Sequence, residues 1–127
     1  MATFVTNAGF ANNTAAWHAY TSRPLYLSWG TGSGQTASSN ALATAANESR
    51  ATGTSSQQTT TVTSDTYRVA GTLTAGGSRA ITELGIFDAA GSGNPPTGGN
   101  MDLYGDFSVI NLATNDSIAF TFNTKVS

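Results

Sequence analysis

Cysteine is absent from this chain, which excludes disulfide bonds and thiolate chemistry, and with them a small secreted scaffold held by cross-links. Charge is scarce. Asp, Glu, Lys and Arg make up 9% of the 127 residues, against about 25% in an average globular domain. The five cations, Arg23, Arg50, Arg68, Arg79 and Lys125, are scattered and the net charge is −2. With no basic patch, a nucleic-acid partner is not expected. No apolar run approaches 18 residues, so no membrane span and no membrane partner are expected. The segment Met1-Ala2-Thr3-Phe4-Val5-Thr6-Asn7 lacks the basic and apolar regions of a signal peptide.

What fills the chain instead is Thr, Ser and Asn, with 21, 14 and 10 copies, and 14 Gly. Thr favours strands, while Ser, Asn and Gly favour turns. The expectation is an all-β fold: a single compact antiparallel β-sandwich or barrel with long polar loops. A chain of this length buries about two thirds of its unfolded surface, enough for one core. Residues 1–22 show no pattern and read as an irregular N-terminal arm. Residues 23–127 read as the single β-domain.

Along that domain, Pro24–Trp29 reads as the first core strand, with Leu25, Leu27 and Trp29 on one face. Ala41–Asn47 is Ala-rich and could form a short helix. Thr59–Thr63 is good strand material. Thr66–Thr74 and Ile81–Asp88, joined by Ala75-Gly76-Gly77-Ser78, read as a hairpin. Residues 89–100 form a long Gly/Pro loop. Met101, Leu103, Gly105, Phe107 and Val109 then alternate on one strand. Ile118, Phe120, Phe122 and Val126 alternate on the last.

Catalytic chemistry finds little to work with. His18 is the one histidine and the one base available to a serine nucleophile. A zinc site would need three or four His, Cys or carboxylate ligands. Asp88, Asp102 and Asp106 flank the 89–100 loop without the spacing of a calcium hand. Glu83 and Asp106 are formal candidates for a glycosidase pair, with nothing in their spacing to favour it. No catalytic residue, cofactor or metal is assigned, and the chain is not expected to be an enzyme. Trp17, Tyr20, Tyr26 and Trp29 could make a sugar-binding platform, which leaves a carbohydrate-binding module as a reading from another class. Phe4, Phe10, Trp17 and Tyr20, large residues in an unpatterned segment, are candidates for docking on a neighbouring subunit or partner.

Ile81–Asp88 is the most informative stretch. It is apolar on both faces, so the strand should be buried on both, yet Glu83 sits in its middle. A buried carboxylate costs several kcal/mol unless it is paired. Glu83 is therefore expected in a structural ion pair, with Arg68 in the neighbouring strand or with Arg50 or Arg79.

An ordered series of segments resembles small virion proteins of tailed bacteriophages, cyanophages included, and among them the capsid decoration or cement proteins. It consists of Trp29-Gly30-Thr31-Gly32, then Leu42, Glu48 and Arg50, then Thr66–Thr72, Ile81–Asp88 and Asn115–Thr121. The resemblance spans residues 25–125 and is sharpest over Ile81–Asp88. It implies a compact β-domain, often a homotrimer, on the capsid exterior, assembled in the bacterial cytoplasm. Its partner would be the major capsid protein, and its work would be to hold the shell against internal pressure. No catalytic residues carry over. Related strings occur in phage tail and fibre proteins, so a tail location is the alternative.

Overall fold

A computed structural model describes residues 2–21 and 23–127. Seven strands follow one helix: α1 Asn7–Ala19, β1 Tyr26–Gly30, β2 Ala51–Thr52, β3 Thr54–Gln58, β4 Thr66–Thr74, β5 Arg79–Phe87, β6 Met101–Leu112 and β7 Ser117–Lys125. They form two antiparallel sheets in the orders β2-β1-β5-β6 and β3-β4-β7. The sheets pack face to face as a β-sandwich, as expected. Leu27, Trp29, Tyr67, Val69, Leu73, Ile81, Leu84 and Ile86 form the shared core.

The chain changes sheet at three corners. Gly53 carries β2 into β3, because its own amide bonds to the Leu25 carbonyl and a side chain there would meet Leu27 and Val69 at 2.7 Å. Residues 75–78 carry β4 into β5, and residues 113–116 carry β6 into β7. The last two corners are tied together, with Ala75 N donating to Asp116 O and Asn115 N to Ala75 O, each at 2.8 Å. The expected hairpin of Thr66–Thr74 with Ile81–Asp88 is therefore not formed. Those strands belong to different sheets, and the short Gly turn serves as an inter-sheet corner.

Three further local expectations change. The N-terminal segment is not irregular throughout. Asn7–Ala19 is helical, and Thr6 caps it by accepting from Gly9 N. Ala41–Asn47 is not a helix, because the Ala43 and Thr44 amides are taken by Glu83 and the Ala46 amide by the Trp29 carbonyl. Thr59–Thr63 is a loop rather than a strand. The amides of Thr60, Thr61 and Val62 wrap the buried Asp65 carboxylate.

Helix α1 packs on the core side of β3. Ser55 and Gln57 stand opposite Val69 and Tyr67 in register and so share their face. His18 Nδ1 lies 2.7 Å from Ser55 Oγ, and Gln57 Nε2 donates to Thr14 Oγ1 and Ala11 O. Trp17 meets Tyr67 edge-on at 5.4 Å. The helix thus closes one flank of the sandwich, largely through polar contacts. The other flank is bounded by β6 and β7.

Candidate functional site

Strand β5 is buried on both faces, as its sequence requires, because the 31–50 segment lies over its outer side. Leu42, Phe87 and Met101 make a second small core there. An irregularity between Ile81 and Glu83 changes the face of the strand. Ile81, Leu84 and Ile86 point into the main core, while Glu83 and Phe87 point outward under the covering loop.

Glu83 is fully buried and has no cation partner among the described residues. Its Oε2 accepts from Gly32 N at 3.1 Å and Thr44 N at 2.9 Å. Its Oε1 accepts from Ala43 N and the Tyr104 hydroxyl, each at 3.0 Å. Four directed donors satisfy the carboxylate in place of a counter-ion. The expected pairs with Arg68 and Arg50 are corrected accordingly. Arg68 reaches across to Asn123 Oδ1 at 2.8 Å. Arg50 donates to the Ala89 and Gly98 carbonyls and stacks 3.7 Å above the Phe87 ring, which pins both ends of the 89–100 loop. The ion pair that forms among the described residues is Arg79 with Glu48, at 3.0 Å. Glu48 also accepts from the indole of Trp29.

Two glycines make this cradle possible. A side chain on Gly30 would collide with the Thr44 carbonyl and the Glu83 carboxylate, and one on Gly32 would meet Ala43 at 2.6 Å. Burial and then the bond to Glu83 push the Tyr104 phenol up to about 12. Burial also raises the Tyr67 phenol and lowers the Arg50 guanidinium. For Asp65, burial acts upward but is outweighed by amide bonds from Val62 and Thr60 and hydroxyls of Ser127 and Thr66. These hold its carboxyl well below the usual range.

The carboxylates expected near the 89–100 loop make separate contacts. Asp88 holds Asn100 through its amide at 2.7 Å, and Asp106 accepts from Gly34 N. Burial, then Asp88, raises the Asp102 carboxyl. No three His, Cys, Asp or Glu side chains gather among the described residues. The sugar platform does not assemble, since Trp29 is wholly internal and Trp17 is packed on Tyr67.

The surface that stands out is the flank between β6 and β7. Both are edge strands, each with one side unpaired. Between them lies a groove of 530 Å³ lined by Leu84, Phe107, Ile110, Phe120 and Phe122, with Asp106 at its rim. The three phenylalanines are only half-buried. The pairing register of β6 slips between Asp106 and Ile110, which breaks the alternation expected through Val109. That residue is 53% exposed and Ile110 is 38% exposed. Of the docking candidates, Phe4 and Tyr20 are exposed, at 83% and 62%. Phe10 and Trp17 are half-buried. Sequence alternation marked the inward residues of β7 but could not show that they stay only half-buried.

The structure is a β-sandwich with an open apolar groove on the flank between β6 and β7. No protein-family model matches the chain, and no curated protein or solved structure matches it significantly. Among the described residues no helix is long and apolar enough to cross a membrane.

Proposed function

We propose that this chain is a virion structural protein of a tailed bacteriophage, a decoration or cement protein that binds the outer face of the major capsid shell and stabilises the head. The observation that carries the reading is the open apolar flank between β6 and β7 on an otherwise closed, weakly charged sandwich. Three half-buried phenylalanines beside exposed Val109 and Ile110 make an apolar patch there, and such patches mark interaction surfaces. Low charge favours the same reading, because little charge must be desolvated on assembly.

The segments that resemble phage virion proteins converge in space. Gly32 and Glu83 bond directly, Leu42 packs on Phe87, Glu48 holds Trp29 and Arg50 covers Phe87. The shared residues are therefore those that build the fold. A cement that binds only the expanded shell stabilises that state by its binding free energy, and several contacts per oligomer add through effective concentration.

The test is co-sedimentation of the purified chain with purified expanded heads and, separately, with tails. Binding to heads, with a rise in the temperature at which they release DNA, is the expected result. Binding confined to tails would move the protein to the tail. Binding to neither would overturn the virion reading.

A further inference from the structure

The two flanks of the sandwich are unequal. One is closed by α1, a segment of the chain's own N-terminus laid along β3. The opposite flank, between the edges of β6 and β7, has no segment over it among the described residues. The chain also carries an exposed segment ahead of that helix. Ala2–Thr6 has no regular structure, and every residue in it is exposed. Phe4 is 83% and Val5 58% exposed. Thr, Phe and Val are strand-forming residues, and an extended segment can add to a free sheet edge through its backbone while its side chains fill pockets.

We propose that the Ala2–Val5 arm of one copy, leading from the Thr6 cap of its helix, inserts into the β6–β7 groove of the next, so that the protein assembles head to tail. Position supports a second copy over the chain's own arm. The arm leaves from the start of α1, beside Thr61–Thr63, whereas β7 lies at the other edge of the β3-β4-β7 sheet. Charge supports it too. The side chains from Ala2 to Val5 are uncharged, and the one carboxylate lining the groove, Asp106, is exposed and accepts from Gly34 N. The arm therefore brings no side-chain charge into the groove. Donor and acceptor are different surfaces, so the contact is heterologous and closes into a ring when the rotation allows. A single aromatic buries ~150–250 Å², below the ~800 Å² each partner gives to a standard interface. The exposed rim of β6, with Val109 and Ile110, must contribute as well.

The inference does not depend on the virion reading, and its test uses no capsid. Sedimentation velocity of the full chain should show a multiple of 13.0 kDa. Phe4→Asp removes the arm's anchor, and Ile110→Asp charges the groove rim. Each variant should keep the wild-type circular dichroism spectrum and sediment as a monomer. A mixture of the two should recover a 1:1 heterodimer and nothing larger, because each supplies the surface the other lacks. A wild-type monomer at ~100-fold the assay concentration would overturn the proposal. So would an oligomer that survives both substitutions, or a mixture that stays monomeric.

Discussion

The Tyr104 hydroxyl on β6 donates to Glu83 Oε1 on β5 across 3.0 Å. It is the one side-chain donor of the four that hold this carboxylate. The other three are backbone amides of Gly32, Ala43 and Thr44. Glu83 therefore does the work of a loop anchor, fastening the 31–50 segment over the outer face of its own sheet.

Glu83→Ala should strand three amides in a buried site and destabilise the fold by at least about 3 kcal/mol in urea denaturation. Arg68→Ala, which loses only a surface bond to Asn123, should stay within about 0.5 kcal/mol of wild type. Equal losses for the two would restore the ion pair and refute the cradle.

Alkaline titration offers a second check. In the folded chain the Tyr104 phenol is raised to about 12, from about 10 when unfolded. A group raised on folding stabilises fully below its unfolded value and loses that contribution as pH rises through its folded value. Stability should therefore fall from pH 10 towards pH 12. Absorbance at 295 nm should show a tyrosine ionising above the usual phenol value of about 10. Tyr104→Phe should shrink that late phase to the share of Tyr67, whose phenol burial also raises, and an unchanged amplitude would assign it to Tyr67 alone.

At the acid end, Asp65 is depressed by its amide and hydroxyl donors. Its contribution is present above the unfolded value of about 3.9 and is lost as pH falls below it. Urea midpoints should drop on acidification through pH 4. Asp65→Asn should lower the midpoint at pH 6 and flatten the acid limb. An unchanged limb would mean that other carboxylates drive acid unfolding.

Gly30→Ala forces a methyl group against the Thr44 carbonyl and the Glu83 carboxylate. It should cost about 1–3 kcal/mol, whereas Gly34→Ala, with no atom within 4 Å but a φ of +82°, tests backbone strain alone. Denaturation of the pair separates crowding from conformation. An unaffected Gly30→Ala protein would show that the loop is free to move off β5.

Much of the sandwich was legible because its strands alternate. Ile118, Phe120 and Phe122 turn inward from β7 as their spacing requires, and Ile81–Phe87 is buried on both faces. Helix α1 was not legible, because it has almost no apolar stripe and docks through Thr14 and His18. The corner at 75–78 was misread since a hairpin and an inter-sheet crossing use the same short Gly turn. Glu83 was correctly singled out as buried, but its partners are amides, which carry no mark in the identity of a residue. The β6–β7 groove depends on which edges end up unpaired, and local spacing does not specify that.

The most direct measurement is a cryo-EM reconstruction of expanded heads incubated with the purified chain. The account predicts sandwich-shaped density on the outer face of the shell, with the β6–β7 flank covered by a neighbouring subunit or by capsid protein. Bare heads at saturating protein, or bound density with that flank open to solvent, would contradict it.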